Sequence, residues 1–121
     1  MIIQPAFNIA KNILKQIFVT TDLNVIFSWG IDPQKIKCVT HRGNYGLYIY
    51  VNGLIYKGGV SIVLDECTDL YYIIINGEIV RENVYADMLG AVLDDLIEKP
   101  ISMTDEEYKE KVNNEYRFMK L

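Results

Sequence analysis

His41 is the only histidine in the chain, and it stands beside Arg42, Asn44 and Tyr45. An imidazole next to a guanidinium and an amide can relay a proton or hold an anion, so this stretch is the first place where acid–base or binding chemistry could be housed. The competing reading is a solvated connection between two strands. The second polar group is Asp65, Glu66 and Asp69 around Cys67. Three carboxylates could hold a hard cation, but they lack the regular oxygen-ligand spacing and central glycine of a calcium loop, so a solvated acidic turn is the favoured reading. As a nucleophile Cys67 would need a base, and no second histidine exists to serve it. If the two stretches converge on a concave pocket, His41, Arg42, Asn44, Asp65, Glu66 and Asp69 form a small-ligand or metal site, or that of a minor enzyme. If they lie at opposite ends of the fold, they do not.

Other candidates carry less. Asp87, Asp94 and Glu98 form a carboxylate stripe at helical spacing, opposite an apolar stripe, where solvation accounts for them. Gly43 and Gly58-Gly59 match no phosphate-cradling signature, because neither GxGxxG nor GxxxxGK[ST] precedes a helix. Cys38 and Cys67 have no CxxC spacing, so neither a zinc knuckle nor a disulfide framework is indicated. No motif calls for a cofactor, and the chain reads as non-enzymatic. A formal net charge of -4 gives no electrostatic footing on a phosphate backbone, so nucleic acid is not an expected partner. The first residues show no basic stretch of a signal peptide, and no apolar run reaches the ~18 residues of a membrane span, so a cytoplasmic protein is expected.

The elements that must position these residues follow from periodicity. With 50% hydrophobic and 23% charged residues in 121, the composition suits one globular domain, with residues 1–100 as core and 101–121 as a helical extension. Apolar residues at three- and four-residue steps over 6–19 predict a helix, with Pro5 at its first position. Alternation over 23–29 predicts a strand, followed by a turn and a short strand over 36–40. His41 to Asn44 then reads as an exposed polar connection. Two Asn-Gly pairs, Asn52-Gly53 and Asn76-Gly77, each sit between strand-forming runs and predict two-residue type I′ hairpins, because both central positions of that turn need positive φ. The strands they link run over 47–51, 54–56, 60–64, 70–75 and 78–82, the last polar enough for a sheet edge. Asn83 reads as the N-cap of a helix over 84–97 that Pro100 ends, and Gly90 inside it marks a close approach of another element. Thr104 and Glu107 form a capping box for a third helix over 105–118, whose apolar set, with Tyr108 and Tyr116, is thin. The sum is an α+β fold: an antiparallel meander of about five to six strands, with the first and second helices on one face and a C-terminal helix in addition.

That arrangement leaves tyrosines on the far side of the sheet. Tyr48, Tyr50, Tyr56 and Tyr72 fall in the central strands and, with Tyr108 and Tyr116 of the last helix, make a candidate interface for a protein partner or a second copy of the chain. The helix containing Ile9, Ala10 and Leu14, the Asn-Gly meander, and the heptapeptide Asn83-Val84-Tyr85-Ala86-Asp87-Met88-Leu89 together resemble small uncharacterised proteins of bacterial phages and mobile elements, over about residues 9–98. The resemblance implies a setting, an inhibitor or accessory protein of such an element, and no catalytic residues. The tail after Pro100 departs from it.

Overall fold

The computed structural model describes residues 3–98. The Thr104 capping box, the helix over 105–118, Tyr108 and Tyr116 therefore lie outside the described residues. Within them the chain forms helix α1 (Ile3–Thr20), a short helix α2 (Leu23–Ser28), five strands and a last helix α3 (Leu89–Ile97). The strands are β1 (Lys37–His41), β2 (Asn44–Asn52), β3 (Lys57–Asp65), β4 (Leu70–Ile75) and β5 (Glu78–Val84). They pair in sequence order and always antiparallel, so the fold is an α+β meander with β1 and β5 at its edges.

Helix α1 buries Ala6, Ala10, Ile13 and Ile17, a spacing of four, three and four that lines one face. It begins at Ile3, so Pro5 sits within the first turn, where its missing N–H still has no intrahelical partner to lose. The stretch 23–29 is helical where alternation predicted a strand. Asp22 caps it, its side chain accepting from the Asn24 amide at 3.0 Å, and Ile26 and Trp29, three residues apart, turn inward together. A strand would have placed Leu23 and Phe27 beside Trp29. Instead they stand 51% and 65% exposed on the outer side of α2.

The turns divide by chemistry. Asn76-Gly77 is the expected two-residue hairpin, with φ of 54° and 78° between paired Ile75 and Glu78. The connection after His41 is a hairpin of the same kind, with Arg42 at φ 51°, Gly43 at 80° and His41 paired with Asn44. Only Arg42 and Gly43 are exposed there, while His41 and Asn44 are half-buried, which corrects the reading of 41–44 as a solvated connection.

Asn52-Gly53 is not a two-residue turn. Asn52 pairs with Lys57, so residues 53–56 form a loop in place of the expected strand 54–56, and β3 already includes Gly58 and Gly59. The physical reason is the end of α3. The amides of Ile55 and Tyr56 donate to the Ile97 carbonyl at 2.9 and 3.3 Å, and the Leu54 amide donates to Oε1 of Glu98 at 3.2 Å. The loop thus satisfies carbonyl oxygen that a helix leaves over at its C-terminus. Gly53 is glycine because a Cβ there would run into the Ile97 carbonyl. Gly53→Ala is expected to destabilise by about 1–3 kcal/mol in urea unfolding. The equivalent change at Gly77, which touches nothing but holds positive φ, tests backbone strain alone.

Asn83 is not a helix cap. It lies in β5 with φ 54°, where β5 carries an extra residue between Arg81, opposite Ile73, and Val84, opposite Tyr71. Asparagine tolerates this left-handed conformation, and the bulge aims Val84 into the core. A 3-10 turn, Ala86–Met88, then leads into α3, which starts five residues later than the apolar stripe suggests. Gly90 does mark a close approach: Thr21 at the end of α1 lies against it.

All three helices cover the same face of the sheet. One core joins Ile13 and Ile17 of α1, Ile26 and Trp29, the inward sheet residues Leu47, Ile49, Val51, Val60, Ile62 and Ile73, and Leu89, Leu93 and Ile97 of α3. The carboxylate stripe is only partly solvated. Asp87 is exposed, but Asp94 accepts from the Trp29 indole at 3.0 Å, and Glu98 is 2% exposed and bonded to the 53–56 loop. These two carboxylates fasten α3 to its neighbours, a use that periodicity alone does not reveal.

Candidate functional site

In an antiparallel meander alternate turns share an end of the sheet. The β1–β2 turn, the β3–β4 turn and the last residues of β5 meet at one end, and the other two connections lie at the opposite end. Between them is a half-open cleft of about 200 Å³, lined by Arg42, Asn44, Asp65, Thr68, Leu70, Tyr71, Tyr72, Ile79, Glu82 and Asn83. The His41–Asn44 and Asp65–Asp69 stretches therefore converge, as a binding site built from both requires.

Hydrogen bonds hold the acidic turn in shape. Asp65 Oδ1 accepts from the Cys67 amide at 2.9 Å and its carbonyl from the Asp69 amide at 2.8 Å, while Thr68 Oγ1 accepts from the Leu70 amide at 3.3 Å. Asn44 Oδ1 accepts from the Glu66 amide at 3.4 Å, which ties one turn to the other. Arg42 and Asn83, two non-glycine residues at positive φ, line the cleft, and Asp69, a third, stands outside it.

Behind it, His41 Nδ1 and the Tyr72 hydroxyl are 2.7 Å apart, with the rings edge to face at 5.4 Å. Tyr72 is 8% exposed, so this bond gives a buried hydroxyl its partner and fixes the ring that forms one wall. The imidazole is thereby engaged with protein and does not itself line the cleft.

Of the six residues expected to form this site, Arg42, Asn44 and Asp65 line it. His41 supports it through Tyr72, Glu66 contributes a backbone amide, and the Asp69 side chain is exposed outside it. Thr68, Leu70, Ile79, Glu82 and Asn83 were not anticipated. The parity of the meander was the available signal, since it brings the end of β5 back beside the turn after β3. Among the described residues no three His, Cys, Asp or Glu side chains are placed to hold a metal ion. Cys38 and Cys67 are free thiols, Cys38 half-buried against the core and Cys67 exposed on the turn.

The four described tyrosines of the expected interface have different surroundings. Tyr48 and Tyr50 lie on the sheet face turned away from the helices, Tyr48 against Gly59 and Tyr50 beneath the Lys35 ammonium at 4.1 Å from its ring centre. Tyr56 packs against the core and donates to the Gly59 carbonyl at 2.9 Å, and Tyr72 is committed to His41. Among the described residues the most exposed large apolar side chains are elsewhere: Val19, Phe27 and Leu23 on the helices, and Tyr85 just after β5.

Burial raises the Tyr71 hydroxyl above its ordinary value and the Asp69 carboxylate adds to this; burial likewise raises Tyr56, with Tyr48 and Tyr50 contributing. The folded state thus holds its protons more tightly than the unfolded chain, in which tyrosine ionises near pH ~10. The contribution to stability is whole below that pH and is lost as pH rises from there through the higher folded values. Unfolding midpoints are expected to fall above pH ~10, less steeply in Tyr71→Phe, and an unchanged slope in that variant would remove Tyr71 as a source.

No protein-family model matches the chain, and neither a curated protein nor a solved structure matches it significantly. No described helix is long and apolar enough to cross a membrane.

Proposed function

We propose that the protein is a non-enzymatic binding domain that takes a small polar ligand in the cleft at the β1–β2 and β3–β4 turns. The observation that supports this is the convergence of Arg42, Asn44, Asp65 and Thr68, from two separate turns, on one concave space that Leu70 and Ile79 also line. Polar groups that converge from separate turns can fix the orientation of a ligand. At about 200 Å³ the cleft falls below the ~300–1,000 Å³ of sites for drug-sized molecules, so the occupant is nearer an amino acid or a diamine than a nucleotide. His41, the one imidazole, is bonded to Tyr72 and does not line the space.

The test is an amide-resolved NMR titration of the protein with the small-molecule filtrate of a lysate. Saturable shifts at Arg42, Asn44, Thr68, Tyr72 and Asn83 are expected. Shifts confined to other surfaces would remove this reading.

A second reading, a protein partner or second copy on the far sheet face in the accessory setting the sequence resemblance implies, is favoured by half-buried Tyr48 and Tyr50 on the side away from all three described helices. It predicts a concentration-dependent oligomer or a captured protein that Tyr48→Ala and Tyr50→Ala abolish. A strict monomer with capture unchanged by both variants would remove it.

A further inference from the structure

We infer that the cleft's occupant is a small organic cation, with an ammonium or guanidinium head on a short apolar stem. This rests on the cleft being the binding site. Its lining holds two carboxylates, Asp65 and Glu82, against one guanidinium, that of Arg42. Glu66 and Asp69 stand just outside on the same turn and deepen the negative field. Asp65 is half-buried, and a charge drawn partly out of water acts more strongly on a facing charge than one on the open surface.

Among the described residues the Glu82 side chain makes no hydrogen bond or ion pair, and Arg42 is not salt-bridged to either carboxylate. Glu82 is therefore available to a ligand, and Asp65, whose Oδ1 holds the Cys67 amide, has its second carboxylate oxygen to offer. The neutral groups Asn44, Asn83 and Thr68 both donate and accept, and so can complete the contacts of a multi-donor head without selecting its charge. Leu70 and Ile79 in the lining offer the stem apolar contact. A bare anion would have Arg42 alone to attract it and four carboxylates to repel it. An uncharged ligand would leave the two lining carboxylates facing a partner that neutralises neither.

The probes are agmatine and isoamylamine, with isovalerate and isoamyl alcohol as anion and neutral of matching stem, each titrated into isotopically labelled full-length protein. Agmatine and isoamylamine are expected to shift the amides of Arg42, Thr68, Tyr72 and Asn83 saturably. Binding should weaken with added salt and fall about three- to tenfold in each of Asp65→Asn and Glu82→Gln. Asp65→Asn keeps an oxygen for the Cys67 amide, and Glu82 is exposed, so both variants should fold; their spectra away from the cleft check this. Shifts at these amides from isovalerate or isoamyl alcohol, with the amines silent, would overturn the cation while leaving the cleft as the site. Silence of all four probes there would overturn both.

Discussion

Trp29→Ala is expected to destabilise the protein by about 3–5 kcal/mol, the largest effect of any single substitution considered for this fold. Trp29 is 0% exposed and is the bulkiest of the fully buried side chains. It closes helix α2, its carbonyl accepts from the Asn52 amide at 2.8 Å, and its indole N–H donates to Asp94 of α3 at 3.0 Å. One residue thereby joins the short helix, the end of β2 and the last helix. Removing the ring opens a cavity at their meeting point and also deprives Asp94 of a donor in a half-buried place. Trp29→Phe separates the two contributions, because it keeps most of the apolar volume and loses the N–H. It is expected to cost about 1–3 kcal/mol. The measurement is urea unfolding followed by circular dichroism, with the slope compared between variants so that a change in the unfolded state is not read as lost packing. A loss below about 1 kcal/mol for Trp29→Ala would show that α2 is not fastened to the core through this side chain.

Trp29 also shows why the stretch 23–29 folds as a helix against its alternating pattern. Over seven residues, 23–29, alternation and a two-turn helix place apolar residues almost equally well, and the period cannot decide. What decides is non-local: the indole finds its acceptor on α3, sixty-five residues away, and the Asp22 cap favours the helix locally. The same holds at Gly53, whose partner Asn52 invites a turn assignment. Its reason for being glycine is the Ile97 carbonyl, far along the chain. Where the determinant is local the sequence is legible. Asn76-Gly77 forms the turn its chemistry dictates, the α1 stripe is buried as its spacing predicts, and Gly90 meets a neighbouring helix.

The cleft falls between these cases. Its two turns carry the polar residues that sequence picks out, because chemistry-bearing side chains are recognisable by type. Tyr72 and Glu82 were assigned to an interface and to an edge strand, because only the strand order shows that β4 and β5 supply the other walls. Arg42-Gly43 lacks the asparagine or aspartate that marks a type I′ turn, although arginine occupies that conformation at φ 51°. The hairpin that aims Arg42 at the cleft was accordingly read as a plain connection.

Leu89→Ala is expected to destabilise by about 2–5 kcal/mol, through a cavity where the first turn of α3 enters the core. Leu89 is 0% exposed and heads the buried stripe of Leu89, Leu93 and Ile97, and the residue after it, Gly90, lies against Thr21 at the end of α1. That close approach restricts collapse. Helix α3 cannot shift far toward the space vacated by Leu89 while the α1 end bears on Gly90 and the 53–56 loop holds Ile97, so the cavity should persist and the loss should fall in the upper half of the range. Leu89→Met, which nearly conserves volume, is expected to cost less than about 1.5 kcal/mol. The discriminating comparison is Leu89→Ala against Leu96→Ala in the same denaturant series, since Leu96 is only half-buried on the same helix. Equal losses at the two sites would mean that α3 is held by its ends and not by its buried face.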